Sequence, residues 1–381
     1  MNSNQIRQQF LSFYAAKGHQ IVPTVPLIAK PPNLMRQSNL WTLPFHPISL
    51  GQRYSPSTHS TILQKHISPN LTVLTQRHLT FFEMLGNWGN YSQPQALTWA
   101  WELCTEIYQL PQSRLVVSVH PNDLATFAFW RDRIGIPKQQ IVFSQQNFWR
   151  IRPDGPSGHC TRIHYDRYPE QGYHSIESLA DIQYQPKERE YYDRPDTLHY
   201  LLPDEDFRFL SFYSLVSMEW MEFESGPDTN QSVGLPMSYI DAGMNVEQLA
   251  MILQQVSSLY ETDLLFPIIQ TLAAIAVVDY QQADNWTKIN LKIIADQIRA
   301  AVHLSADYIT KPPQSWPKPI YNQIEIWMIR VVLHAQLLGI EHPFIEELIA
   351  TVTSLGESFY PALREQQKQI TTFLQQQESF L

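Results

Sequence analysis

At 381 residues the chain is long enough for two or three packed domains with sizeable cores. Its 44% hydrophobic and 12% aromatic content excludes a disordered polymer. A formal net charge of -9, from 27 basic and 36 acidic residues, argues against broad contact with nucleic acid or anionic membrane, since either needs a basic surface.

Two cysteines, Cys104 and Cys160, make no disulfide framework. The apolar run from Leu272 to Val278 is too short to span a bilayer, and the first residues lack a secretory layout. A soluble cytoplasmic protein is expected. In chain order, Ser3 or Asn4 can cap a helix that shares Ile6, Phe10, Phe13 and Tyr14 on one face and closes at Gly18. Residues 21–60 are rich in proline and read as short strands and loops. A hairpin follows, with strands near Thr61–Ile67 and Arg77–Leu85, and then a helix near Gln95–Tyr108. Leu115–Val119 and Gln140–Phe143 read as strands flanking a helix at Ala125–Arg133. Residues 181–206 mix proline, tyrosine and charge without period, as an exposed insertion would. Ser238–Gly243 is a strand leading into a helix that buries Val246, Leu249, Leu253 and Val256. The pattern is helical from there on, broken at Lys311–Pro319 by four prolines in nine residues, and the glutamine-rich tail from Gln366 is expected to fray. Strands mixed with helices, then helices alone, give an α+β domain over 1–256 and a helical domain over 257–381.

Five ordered segments carry a family resemblance. Arg77-His-Leu-Thr-Phe-Phe-Glu-Met-Leu-Gly-Asn87 resembles the RHHTFFEMLGN of the alanyl-tRNA synthetases. Residues 147–160 resemble their NFWEMGDTGPCGPC, and 161–166 their S/T-E-I-F-Y-D. Residues 240–250 resemble their third motif, IDTGMGLERLA, and 291–299 their LRVIADHIR. The resemblance implies a class II synthetase core, an antiparallel sheet flanked by helices, followed by a helical tRNA-recognition region. It also implies a paralogue that stops where the family's editing and C-terminal domains would begin.

The same resemblance implies an amino-acid pocket. Asp241 matches the aspartate that pairs with the α-ammonium of alanine, a charge-assisted contact. Trp149 matches a wall of the pocket, and Val216 and Gly243 match positions that limit side-chain volume. Ser214 stands where the family has an asparagine. Asp241 and Gly243 are two apart on a strand and so share a face. Phe82 is the residue expected to stack on adenine, with Arg77 and Glu83 beside the nucleotide. The family's two phosphate-holding arginines are replaced, by Ser68 in the hairpin and by Gln248 in the third motif. Removing one such donor from a transition state costs on the order of 100- to 1000-fold in rate, so losing two costs about ten-thousand-fold or more. ATP and Mg are therefore expected as cofactors only if activity is retained.

The recognition side has changed as well. Where the family has an arginine-rich helix, residues 320–335 keep a single strong cation, Arg330, so tRNA binding is expected to be weak or absent. Arg150, Arg152 and Arg162 stand where the family has glutamate, glycine and glutamate, offering a new anion site or a solvated surface paired with Asp154 and Asp166. The spacing of His159, Cys160 and His164 fits no zinc pattern, and no metal is expected. Three functions stay open: a binding or regulatory paralogue that takes alanine or a related metabolite and assists a protein partner, an ATP-dependent amino-acid-activating ligase with a non-tRNA acceptor, and an alanine-tRNA ligase.

Overall fold

A computed structural model describes residues 1–24, 26–27, 59–68, 79–150, 155–172, 208–224 and 230–379. Arg77, Arg152 and the insertion expected at 181–206 lie outside the described residues.

The first helix, α1 (Ser3–Ala16), is capped one residue earlier than its sequence suggests. Asn2 accepts from the Gln5 amide while the Gln5 side chain accepts from Asn2 N–H, a reciprocal capping box. Ser3 is diverted into a bond with Asp263 instead. The buried face of α1 lies on a sheet built from β1 (Gln20–Ile21), β2 (Ser60–Ile67), β3 (Phe81–Gly89), β4 (Leu115–Val119), β5 (Ile141–Phe143), β6 (Phe148–Arg150), β7 (Gly155–Asp166), β8 (Phe209–Glu224) and β9 (Asn230–Asn245). Their spatial order is β1-β2-β3-β9-β8-β7-β4-β5, with β6 on the flank of β7. The centre is antiparallel, as expected, but the outermost pairs β1–β2 and β4–β5 are parallel. The hairpin holds its register from Ser60↔Trp88 to Ile67↔Phe81.

Helices α2 (Gln93–Glu102) and α3 (Leu124–Ala128) each run on into a single wide turn, over Leu103–Ile107 and Phe129–Ile134. Helix α4 (Val246–Gln254) leaves β9 with Asn245 as its cap. The helical part comprises α5 (Phe266–Ile275), α6 (Asn285–Tyr308), α7 (Lys318–Leu337), α8 (Ile345–Gly356), α9 (Ala362–Glu365) and α10 (Gln367–Ser379). Helix α6 is apolar around most of its circumference, and nearly every residue from Asn290 to Ala306 is buried, as befits the central rod of a helical layer. The tail does not fray. Ile370, Phe373 and Leu374 of α10 are buried in the main core, because an apolar stripe at helical spacing outweighs the glutamines between them.

α6 also ties the helical part to the sheet. Asp296 accepts from the Thr80 amide at 3.0 Å and from its hydroxyl at 2.5 Å, and burial raises its carboxyl to about 6 against the pull of those bonds. Beside it, Glu83 of β3 receives Arg7 from α1 at 2.5 Å, Arg299 from α6 at 3.0 Å and the Tyr360 hydroxyl at 2.7 Å. Arg299 bridges onward to Glu247 at 2.8 Å, and Glu247 accepts the Glu83 amide. Four elements thus meet on one buried ionic knot, where removing a member leaves an uncompensated charge.

Candidate functional site

The two sides of the sheet differ in chemistry. On β9, Ile240, Ala242 and Met244 enter the main core. Asp241 and Gly243 are one residue out of step with them and face the opposite side. Across β8, Val216 stands opposite Asp241 and Ser214 opposite Gly243. One strand further, Cys160 faces Val216 and Arg162 faces Ser214. Trp88, Cys160, Val216 and Met218 form a small second apolar cluster there, with Trp149 and Tyr239 packed against it. Trp149 reaches this place because β6 lies along β7 at Gly158. A Cβ on Gly158 would sit 1.7 Å from the Ser217 carbonyl, so glycine alone allows β7 and β8 to pass this closely.

The structure thus brings together all five residues of the expected pocket: Trp149, Ser214, Val216, Asp241 and Gly243. It adds Trp88, Cys160 and Met218. Trp88 was legible in principle, since even steps along β3 (82, 84, 86, 88) share a face. Asp241 is the electrostatic centre. It is 3% exposed, and among the described residues its carboxylate has no hydrogen-bond or ion-pair partner. Burial alone holds it well above the ordinary carboxylate range. A buried carboxylate of this kind is stabilised by a cation with N–H donors.

The charges expected near a nucleotide are placed differently. Phe82 faces the pocket side, where its ring stacks on His66 with centroids 5.1 Å apart and 22° between planes. His66 is so fully enclosed that its pKa falls to about 3, leaving it neutral. Glu83, expected beside the nucleotide, points to the other side of the sheet into the knot with Arg7, Arg299 and Tyr360. Strand alternation is the reason: residues 82 and 83 cannot both face one pocket. Ser68 follows the end of β2, its amide bonded to the Thr80 carbonyl, and Gln248 lies in the first turn of α4.

Of the new arginines, Arg150 is paired with Glu222 at 3.8 Å. Arg162 is half-buried on the pocket side, and its one hydrogen bond among the described residues is a 3.5 Å contact to the Gln146 carbonyl. Asp166 is taken by Arg208 at 2.9 Å rather than by a neighbouring arginine. His159 leans on Glu219 at 3.4 Å, while His164 bonds the Ser118 hydroxyl at 2.9 Å and burial lowers its pKa to about 3. The three candidate metal ligands do not converge, and no group of three or more His, Cys, Asp or Glu suited to a metal occurs among the described residues.

Residues 5–380 match the family described as tRNA synthetases class II (A). The chain belongs to that family. Among curated proteins this class II chain is 39% identical to the alanine–tRNA ligase of Crocosphaera subtropica and 40% identical to that of Synechocystis sp., in each case over its full length. It spans about 40% of the length of these relatives. Among solved structures it is similar to pyrrolysyl-tRNA synthetase from Desulfitobacterium hafniense at 10% identity and a TM-score of 0.34, with 68% of this chain and 72% of that one covered, a likeness too distant to bear on chemistry. Helix α7 of this class II chain carries Lys318 and Arg330 as its strong cations. Its inner face buries Ile324, Trp327, Met328 and Val331, and Ile326, Leu333 and Leu337 are exposed. No helix among the described residues is long and apolar enough to cross a membrane.

Proposed function

We propose that this class II synthetase-like chain binds alanine or a closely related small amino acid and does not carry out ordinary ATP-dependent aminoacylation. The observation that carries the reading is Asp241: a buried carboxylate without a partner among the described residues, walled by Trp149, Val216, Trp88 and Met218. An α-ammonium supplies the missing donors, and the apolar walls suit a short side chain. Against adenylate formation stand Ser68 and Gln248, which leave two phosphate-holding positions without charge, and the stacking of Phe82 on His66. Against tRNA binding stands α7, which offers one arginine and exposed aliphatic residues where phosphate contact needs cations. The chain then acts as a binding or regulatory paralogue, its output passed to a protein partner.

A thermal-shift panel of the twenty amino acids, each with and without ATP and Mg, tests the reading. Stabilisation grows with ligand concentration relative to its dissociation constant. A shift with a small amino acid and none with ATP is the expected result. ATP–pyrophosphate exchange with any amino acid overturns the non-catalytic reading in favour of an activating ligase.

A further inference from the structure

The pocket side of the sheet carries a second charged group without a counter-ion among the described residues, Arg162. Arg162 lies in register with Ser214 and Gly243, while Asp241 lies in register with Val216 and Cys160. The two rows are adjacent, so a diagonal from Arg162 to Asp241 crosses β8 and advances one pleat repeat. With strands about 4.8 Å apart and a two-residue advance of about 6.7 Å, the two Cα atoms stand roughly 12 Å apart. The residues at the near corners of that diagonal are Ser214, Val216 and Gly243, and none is bulky enough to block it. The guanidinium is pre-formed for a planar anion but is held here only by the 3.5 Å contact to the Gln146 carbonyl, at the outer limit of a hydrogen bond. No carboxylate among the described residues forms an ion pair with it. Its charge is felt locally, opposing the effect of burial on Cys160.

We propose that Arg162 receives the carboxylate of the amino acid whose ammonium Asp241 holds. Asp241, ionised when an ammonium reaches it, and Arg162, two strands away on the same face and without an ion-pair partner among the described residues, form a receptor whose charges then sum to zero. That balance matches a zwitterion better than a phosphate, which brings two negative charges against a single arginine. On swinging inward over Ser214, the long arginine exchanges a marginal neutral contact for two charge-assisted bonds. The ligand class is thus a free α-amino acid with an unmodified carboxylate, not an ester, an amide or an adenylate. This rests on the reading of Asp241 given above.

Calorimetric titration of the full chain with L-alanine and with L-alaninamide separates the two claims. Wild type is expected to bind alanine more tightly than the amide. Arg162→Gln is expected to weaken alanine about 10- to 100-fold and leave the amide unchanged, and Arg162→Lys to recover part of the loss. Unliganded melting curves establish that each variant folds. If the amide binds wild type as well as alanine does, or if Arg162→Gln leaves alanine affinity intact, the role of Arg162 is overturned while the Asp241 pocket stands. If neither compound binds, or if Asp241→Asn leaves both affinities unchanged, the pocket itself is overturned and Arg162 with it. Tight binding of inorganic phosphate that Arg162→Gln abolishes would also overturn the carboxylate assignment.

Discussion

Replacing Asp241 by asparagine is expected to make the empty protein more stable and unable to bind its amino acid. The carboxylate is 3% exposed and unpartnered among the described residues, and only burial acts on it, raising its pKa well above 3.8. Between the unfolded and folded pKa values the native state holds a proton that the unfolded chain has already lost. The stability carried by that proton is therefore complete below the unfolded value and is lost as pH rises through the folded one. Asparagine keeps the shape and removes the titration. The amide is equally unpaired, so what it relieves is only the cost of the shifted titration, about 1.4 kcal/mol for each pH unit between the unfolded and folded values; a relief of about 1–3 kcal/mol in a chain of 381 residues raises Tm by roughly 1–4 °C at an unfolding entropy of about 2.1 cal/mol/K per residue. Differential scanning fluorimetry of both proteins between about pH 5 and 8 is the assay, with and without saturating L-alanine. Asp296, raised to about 6 by burial, gives wild type and variant the same falling slope up to about pH 6 and none above it. The difference between the two curves isolates Asp241. It should widen as pH rises, and alanine should shift the wild type only. A variant less stable than wild type throughout would refute the reasoning, because the carboxylate would then be holding the fold together.

Three further outcomes follow from the geometry. Glu83→Gln is expected to destabilise the chain by about 3–5 kcal/mol, since it strands Arg7 and Arg299 in the core; urea denaturation measures it, and a loss below about 1 kcal/mol contradicts the ionic knot. Leu374→Ala, in the tail helix, is expected to cost about 2–5 kcal/mol because that side chain is fully buried; an unchanged denaturation midpoint would mean α10 is detached. The double substitution Ser68→Arg with Gln248→Arg returns charge to both phosphate-holding positions, and pyrophosphate exchange is expected to appear where wild type shows none. Each arginine is worth on the order of 100-fold or more, so a double variant that remains silent places the defect elsewhere in the site.

Motif order and the family resemblance make the fold class legible in the sequence, and strand alternation accounts for Asp241 and Gly243 sharing a face. Runs such as Ile240–Asn245 leave little freedom: alternation puts apolar residues on one side and Asp241 on the other. The misplacements share a cause. Glu83 was grouped with Phe82 as one nucleotide contact although strand geometry parts them, and Arg7 and Arg299, its partners 76 and 216 residues away, have no local signature. The tail was judged by glutamine content, while the placement of Ile370, Phe373 and Leu374 against the core decided its structure. Ser3 and Asn4 both read as caps in the sequence, yet Asn2 serves, because Asp263, distant in sequence, engages Ser3.

The two sides of the sheet hold their buried charges in different ways. On the core side, each of these buried carboxyl groups is matched: Glu83 by Arg7 and Arg299, Glu247 by Arg299, Asp296 by Thr80. Altering one of these members strands another in a low-dielectric interior, so the fold itself holds those residues in place. On the pocket side, Asp241 has no such partner among the described residues. Asp241 breaks that pattern. It is buried at an energetic cost, its neighbours do not neutralise it, and replacement by a neutral residue would stabilise the chain. A residue kept against the preference of the fold indicates a ligand. The Asp241→Asn comparison tests that indication directly, because a carboxylate needed for an ammonium and one needed for the fold move stability in opposite directions.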